Sequence, residues 1–166
     1  MSKTKSFNMD EYVERITSGP CFICEMLDGI YEHPEHIIYD NDQAVVFLNR
    51  YPPLYGYALV APREHREQVT GDFMVSEYLE LQRLIFHVTE AIRQVVPTER
   101  IYLLSLGSQQ GNSHVHWHIA PLPPGVAFLD QQLEALRLTD RVLDLSDEEM
   151  SGLASEIRSA MDQIKI

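Results

Sequence analysis

Three histidines occupy alternate positions in the segment GNSHVHWHIAPLPPG, residues 111–125, at His114, His116 and His118. Successive side chains of a β-strand point to opposite faces, so an extended backbone places the three imidazoles on one face and the apolar residues between them on the other. A neutral imidazole is a nucleophile near pH 7, because its ordinary pKa of about 6.5 leaves most of it unprotonated, and it is also a metal ligand. The row therefore indicates nucleophilic catalysis or a metal site.

Reaction at phosphorus suits such a row of imidazoles. Attack by an imidazole on phosphorus forms a phosphoramidate and divides one difficult displacement into two easier ones. Neighbouring imidazoles and hydroxyl, amide or backbone N–H donors then hold the phosphoryl oxygens and protonate the leaving oxygen. Small polar residues precede the first histidine here, at Gly111, Asn112 and Ser113.

A Cys-x-x-Cys pair, Cys21 and Cys24, contains the two cysteines of the chain. The pair is too closely spaced to staple a fold, and no secretion signal precedes it. We therefore expect a metal or redox role in preference to a structural disulfide, with two small buried residues as the plainer alternative. A redox role is the less favoured of the two, because no thioredoxin-like βαβ pattern surrounds the pair.

Composition limits the classes of protein to consider. A chain of 166 residues with 45% hydrophobic content suits one globular domain. The formal net charge of −12, with 13 Lys and Arg scattered among 25 Asp and Glu, gives no basic face for nucleic acid. Apolar runs are too short to cross a membrane or to form a signal peptide, so we expect a soluble, cytoplasmic protein.

The pattern along the chain predicts an α+β domain. β-rich runs between turn signals predict about five antiparallel strands, and helical spacing predicts one long helix over 75–96 with shorter helices over 10–18 and 130–138. The predicted strands are residues 37–40, 44–48, 57–61, 101–106 and 115–120. His33 and His36 flank Pro34 in a polar turn, and we expect both at the surface.

The tail is predicted to be helical. Ser146 and Glu149 form a capping box, and the helix that follows carries one apolar stripe, made by Met150, Leu153, Ile157, Met161 and Ile164. We divide the chain into a catalytic domain, residues 1–124, and a helical C-terminal extension, residues 125–166. The extension is expected to pack on the same domain or on a dimer partner and to shape the pocket of the leaving group or acceptor.

The segment HVHWHIA, residues 114–120, resembles the signature of the histidine triad (HIT) family, His-φ-His-φ-His-φ-φ with φ apolar, and Pro121 continues it. Upstream, FLNRYPPLYGYALVAPREH, residues 47–65, is similar to the family segment in which Asn or Asp precedes a Pro-containing turn, Gly-His, a strand and Pro-Lys-x-His. The resemblance runs from Cys21 to Pro123 and leaves out the tail.

The resemblance implies a homodimer of α+β protomers with a continuous antiparallel sheet. The substrates of the family are nucleotides that carry a second group on the α-phosphate, and the resemblance implies that this chain is, like family members, a hydrolase, phosphorylase or nucleotidylyl transferase. By position, His116 is the nucleophile that attacks the α-phosphorus, and His118 contacts the phosphate and the leaving oxygen.

Four further residues correspond to nucleotide-binding positions or lie beside them. Asn49 matches the residue that binds the ribose hydroxyls, and Gln110 matches a Gln that contacts phosphate in many members. Asn112 and Ser113 are expected to supply further donors.

The resemblance also suggests a metal site. Zinc-bearing members of the family use a Cys2His2 set, which here is Cys21, Cys24, His65 and His114. A structural Zn²⁺ bound there would anchor the N-terminal segment to the catalytic strand and leave His116 free.

Two departures from the family pattern bear on the substrate. Tyr57 replaces the usual His after Gly56, and Gln109 to Asn112 replace the usual Gly-Gln-x-Val. The Asn two residues before the triad, Asn112, is similar to the residue at that position in the galactose-1-phosphate uridylyltransferase branch. That branch, however, has Gln where this chain has His118. The pattern is therefore closest to diadenosine polyphosphate hydrolase or phosphorylase members.

We predict a nucleotide hydrolase or transferase that acts on a diadenosine polyphosphate or another adenylylated compound. Nucleotidylyl transfer to a sugar phosphate is the enzymatic alternative. A non-catalytic nucleotide-binding or zinc-stabilised interaction module is a third class, although the presence of His116 and His118 argues against it.

Overall fold

A five-stranded antiparallel sheet forms the centre of the protein, with strand order β2-β3-β4-β6-β5. The computed structural model describes residues 3–31, 33, 35–106, 113–136 and 141–164. The strands of this sheet are β2 (Ile37–Asp40), β3 (Ala44–Leu48), β4 (Ala58–Pro62), β5 (Arg100–Leu104) and β6 (Trp117–Leu122). The predicted α+β class and strand number are confirmed.

Five helices accompany the sheet in the described part of the chain. They are α1 (Met9–Ser18), α2 (Phe22–Leu27), α3 (Val75–Val95), α4 (Gln131–Leu136) and α5 (Asp147–Gln163). A second, two-stranded sheet pairs β1 (Thr4–Ser6) with β7 (Arg141–Leu143) and was not predicted, because its partners are far apart in sequence. None of the described helices is long and apolar enough to span a membrane.

The two faces of the central sheet have different coverings. On one face, Val46, Val60 and Ile119 pack against the buried sides of α3 and α5. On the other face, α2 and α4 pack over a second apolar cluster that includes Phe47, Leu59, Ala61, Ala120 and Ala135. Residues of β6 alternate between the two clusters, so the side chains next to Ile119 point away from α3 and α5.

Helix α5 begins with the predicted capping box. The Ser146 hydroxyl accepts a hydrogen bond from the Glu149 N–H at 3.2 Å, and the Glu149 carboxylate accepts one from the Ser146 N–H at 2.7 Å. The predicted stripe lies in the core with α3, with Met150, Leu153, Ile157 and Met161 buried and Ile164 partly buried. The tail thus divides between the two faces, since α5 lies on one and Ala135 of α4 on the other.

His36 is buried, which corrects the expectation that it lies at the surface. Only 8% of its surface is exposed. Its Nδ1 lies 3.2 Å from the Ser151 hydroxyl and its Nε2 3.6 Å from the Asp147 carboxylate, both on α5. The polar local sequence suggested a solvated turn, but a contact with a helix more than a hundred residues away covers this side chain.

Candidate active site and metal centre

The histidine row faces the sheet side that carries α2. Strand β6 begins at Trp117, two residues later than predicted. The backbone before it does not hydrogen-bond to a neighbouring strand, because the Val115 N–H donates to the Arg66 carbonyl at 2.7 Å. Val115 and Trp117 nevertheless lie in the α3 core, so the alternation holds. The rings of His116 and His118 are neighbours, with centroids 4.7 Å apart.

His116 is held in a defined tautomer. Its Nδ1 lies 2.8 Å from the carbonyl oxygen of His114. A carbonyl only accepts hydrogen bonds, so Nδ1 carries the proton and Nε2 keeps its lone pair. The residue is 2% exposed, and this burial lowers its pKa, which keeps the ring neutral near pH 7. The ring therefore has the charge and tautomer that a nucleophile needs.

His118 pairs with Tyr57, the residue that precedes β4. The Tyr57 hydroxyl oxygen lies 3.0 Å from Nδ1 of His118, and within the described part of the chain the buried Nε2 of His118 has no hydrogen-bond partner. Burial, and to a smaller extent His116, lowers the pKa of His118 to about 3. The site thus holds two neutral imidazoles side by side, and Nε2 of His118 makes no hydrogen bond among the described residues.

The four residues of the predicted metal set meet at one point. Their ligand atoms, from Cys21, Cys24, His65 and His114, all lie within 4.8 Å of one another. The Cys24 sulfur is 3.3 Å from Nδ1 of His65 and 3.6 Å from Nδ1 of His114. Ligands at Zn–S and Zn–N distances of roughly 2.3 and 2.0 Å on a tetrahedron are separated by about this much.

Local structure aims these four side chains. Cys21 caps the N-terminus of α2, where its sulfur accepts the Cys24 N–H at 3.4 Å. The Nε2–H of His114 donates to the Pro62 carbonyl at 2.8 Å, and Nε2 of His65 lies 3.4 Å from the Glu67 carboxylate. Both rings therefore present Nδ1 as a lone pair, and their other nitrogens have the outer partners typical of metal-ligating histidines.

The protonation of the thiols fits a cation at this point. Burial, followed by the neighbouring Cys21 sulfur, raises the pKa of Cys24 to about 11 when no cation is present. Burial lowers the pKa of His114 to about 4, so its ring is neutral and able to bind a metal. A divalent cation would offset the cost of thiolates here, and the donor set is the one that structural zinc prefers.

A pocket opens beside His116 and His118. The apolar wall includes Phe22 and Phe47, whose ring centroids are 6.3 Å apart, and the ring of Phe22 lies 6.2 Å from that of His116. Asn49 also lines the pocket, and its Oδ1 accepts the Tyr51 N–H at 2.9 Å. The pocket therefore brings the predicted ribose-binding residue and the predicted nucleophile together.

The remaining nucleotide-binding predictions have different outcomes. Ser113 lies beside the metal cluster, with its hydroxyl 3.5 Å from Nε2 of His65, and it does not line this pocket in the described part of the chain. Gln110 and Asn112 lie outside the described residues.

Sequence reasoning missed a group of polar residues that also line the pocket. Helix α1 contributes Tyr12 and Arg15, the segment before β2 contributes Tyr31 and Glu35, and Arg50 follows Asn49. Arginine side chains are mostly exposed in proteins, but Nε of Arg50 is buried. The sequence pattern predicted the helix over 10–18, but it could not predict which surface this helix packs against.

The comparisons with known proteins agree with this geometry. The HIT domain model matches residues 31–124. An uncharacterized HIT-like protein of Saccharolobus solfataricus is 31% identical over 107 residues, which cover 61% of this chain and 73% of that protein.

Three solved structures share the fold at lower identity. A hypothetical histidine triad nucleotide-binding protein of Sulfolobus tokodaii has a TM-score of 0.68 at 22% identity and covers 86% of this chain and 93% of its own. A Zn-bound histidine triad family protein of Mycobacterium smegmatis has a TM-score of 0.65 at 18% identity, covering 86% and 94%. The diadenosine triphosphate hydrolase of Plasmodium falciparum has a TM-score of 0.57 at 18% identity, covering 77% of each chain.

The family model extends over more than half of the chain and includes β2 to β6 with the whole histidine row. The structural neighbours have the same fold, and the geometry of the site is that of a histidine triad with a Cys2His2 cluster beside it. The chain therefore belongs to the HIT domain family.

Proposed function

We propose that the protein is a nucleotide hydrolase or transferase that works through a covalent nucleotidyl-His116 intermediate. One observation carries the proposal: the Nδ1–H of His116 is fixed on the His114 carbonyl, so that a neutral ring with an unprotonated Nε2 lines the pocket. An imidazole in this tautomer attacks phosphorus without first losing a proton.

The reaction proceeds in two displacements. The Nε2 lone pair of His116 attacks the α-phosphorus, and the bond from phosphorus to the oxygen of the second group breaks. His118 contacts the phosphate and the leaving oxygen, which takes up a proton as it departs. The acceptor oxygen of water, phosphate or a sugar phosphate then attacks the phosphorus, the P–N bond breaks, and the acceptor's proton is released.

The proposed substrate is a diadenosine polyphosphate or another adenylylated compound. Asn49 binds the ribose, and Gln110 and Asn112 supply donors to the phosphates. The aromatic wall that Phe22 and Phe47 give the pocket suits a nucleobase, because aromatic rings favour stacking. The shared fold with a diadenosine triphosphate hydrolase agrees with this substrate class.

The proposed cofactor is one structural Zn²⁺ on Cys21, Cys24, His65 and His114. When bound, the ion neutralises the two thiolates and ties α2 to the segment before β6. The four ligand atoms and the outer partners of both histidines support this proposal.

We further propose that two copies form a homodimer through the β5 edge of the sheet. Strand β5 pairs with β6 on one side only, and Leu103 is 48% exposed. On α3, Val75, Leu79 and Phe86 follow one helical face and are each more than half exposed. An open strand edge and an exposed apolar helix face are both features of surfaces that pair with another chain.

An assay of products tests the proposed function. The wild-type protein is incubated with a panel of diadenosine polyphosphates in water alone, with phosphate and with a sugar phosphate, and the nucleotide products are separated. We expect cleavage at an α-phosphate. The group that the product carries on this phosphate then identifies the acceptor as water, phosphate or the sugar phosphate. His116→Ala should reduce turnover by orders of magnitude while AMP still binds.

His87→Ala is the matched control, because this histidine lies against α5 on the opposite face, with Nε2 2.8 Å from the Met161 carbonyl. Near-normal turnover of His116→Ala would contradict the covalent mechanism. Nucleotide binding without turnover of any substrate by the wild type would favour a binding module.

A further inference from the structure

The lining of the pocket is chemically mixed. It includes His116 and His118, with the ring of Phe22 beside His116. It also includes two charged groups, the Glu35 carboxylate and the Arg50 guanidinium. The proposed mechanism uses neither of these groups.

Glu35 has no partner in the described part of the chain that accounts for its position. Among the described residues, no hydrogen bond or ion pair engages its carboxylate, although the side chain is partly buried at the pocket wall. Burial raises the pKa of Glu35 to about 7, against the opposite effects of Arg50 and Arg15. A desolvated carboxyl without a partner is costly to keep, which points to a ligand as its partner.

Arg50 offers a donor beside this acceptor. Its guanidinium lies 5.5 Å from the centroid of the Tyr51 ring and makes no hydrogen bond or ion pair with the described residues. Arg15 is differently engaged, since it donates to the Tyr31 hydroxyl at 2.5 Å. The lining of the pocket therefore presents one unpartnered acceptor, the Glu35 carboxylate, and one unpartnered donor group, the Arg50 guanidinium.

This pairing matches one purine better than the others. Adenine presents the N6 amino group as a donor beside the N7 acceptor, whereas guanine and hypoxanthine present acceptors at both O6 and N7. A 6-oxo purine would place its oxygen against the carboxylate of Glu35, and at pH 8, where most of this carboxyl is ionised, oxygen would face oxygen without a hydrogen between them.

We propose that Glu35 and Arg50 select adenine: a Glu35 carboxyl oxygen accepts a hydrogen bond from the 6-amino group and Arg50 donates to N7. The inference rests on the proposed function, because the α-phosphate at His116 sets where the nucleoside lies. It assigns base selectivity to residues outside the histidine row and the metal cluster.

The test is isothermal titration of the wild-type protein at pH 8, above the pKa of Glu35, with three 5′-monophosphates that differ only at position 6 of the base. AMP carries an amino group there, purine riboside monophosphate carries hydrogen, and IMP carries oxygen. We expect affinity to fall in that order, with AMP at least about tenfold tighter than IMP, the ratio that one hydrogen bond to a charged group commonly gives.

Glu35→Gln supplies the matching change in the protein. An amide rotates to present either its oxygen or its NH2, so IMP should gain affinity and the AMP to IMP ratio should fall to about twofold or less. Glu156→Gln, an exposed position on α5, is the control and should leave the ratio at its wild-type value. Thermal melts of both variants establish that they fold, and the ligand series on the wild type decides the question even where a variant does not.

The outcomes separate this inference from the proposed function. Equal wild-type affinities for AMP and IMP, tighter binding of IMP, or a ratio unchanged in folded Glu35→Gln would each overturn the inference and leave the α-phosphate chemistry standing. A wild-type protein that binds none of the three nucleotides would overturn both.

Discussion

The Tyr57 hydroxyl lies 3.0 Å from Nδ1 of His118, the ring atom that faces away from the unpartnered Nε2. Burial raises the pKa of Tyr57 to about 12, so the phenol keeps its proton. If the phenol donates to Nδ1, the proton of the neutral imidazole stays on Nε2. The Tyr57 hydroxyl then makes His118 a donor to phosphate or leaving oxygen, in place of the usual family histidine.

Tyr57→Phe tests this arrangement. Without the hydroxyl, the neutral ring of His118 is free to carry its proton on either nitrogen, and the donor that contacts the phosphate is less often present. We expect kcat to fall roughly tenfold, which is the effect of losing about one hydrogen bond, with little change in the affinity for AMP. Steady-state kinetics and AMP titration measure the two effects.

Tyr55→Phe is the matched control, since Tyr55 is 40% exposed and does not line the pocket. A Tyr57→Phe enzyme with wild-type kcat would show that the hydroxyl does not position His118.

The metal site gives a prediction that distinguishes two neighbouring histidines. Protein purified without chelators should carry about one zinc per chain, and Cys24→Ser and His114→Ala should lose it together with thermal stability. His116→Ala should keep the zinc, because its Nδ1 is bonded to a backbone carbonyl and the residue lies outside the cluster. Elemental analysis and thermal melts check both statements, and wild-type protein free of zinc would remove the site.

The dimer proposal predicts that a charge on the exposed apolar face separates the copies. Phe86→Asp should give a monomer by analytical ultracentrifugation at concentrations where the wild type is a dimer, since a buried unpaired carboxylate at an interface is costly. Ile30→Asp is the control, because Ile30 is 65% exposed and follows α2, which packs on the face of the sheet opposite α3. A monomeric wild-type protein would contradict the proposal.

Glu35 gives a prediction about stability and pH. Its pKa in the folded protein, about 7, lies above its ordinary value of 4.5, so the folded state binds the proton more tightly. The destabilisation by the ionised carboxyl is therefore absent below pH 4.5, grows between pH 4.5 and 7, and is complete above pH 7. Glu35→Gln should raise Tm relative to wild type at pH 8, with a smaller difference at pH 4.5. A difference of equal size at both pH values would contradict this account.

Local pattern was sufficient to predict much of the fold and the centre of the site. β-Branched runs between turn residues fix β2 and β3, and the stripe from Met150 to Met161 fixes the buried side of α5. Alternation along the chain predicted that His116 and His118 share a face, because the period of an extended backbone is independent of its partners. Family resemblance, and not spacing, joined His65 to the cysteine pair.

Contacts between distant segments could not be predicted in the same way. The burial of His36 depends on Ser151 and Asp147, and the β1-β7 sheet pairs Thr4–Ser6 with Arg141–Leu143, far along the chain. The expectation that the tail shapes the site depends on which face each helix covers: α5 packs opposite the histidine row, and no described residue of 125–166 lines the pocket. The role of Glu35 could not be predicted from the sequence, because it depends on the burial of this carboxyl at the pocket wall.

The stereochemical course at the α-phosphorus tests the covalent intermediate most directly. The substrate is a diadenosine polyphosphate with sulfur and a defined configuration at the α-phosphorus, and the reaction is run in ¹⁸O-labelled water. Each in-line displacement inverts the phosphorus, so attack by His116 followed by attack of water predicts net retention of configuration. Net inversion would mean a single displacement by water and would contradict the nucleophilic role of His116.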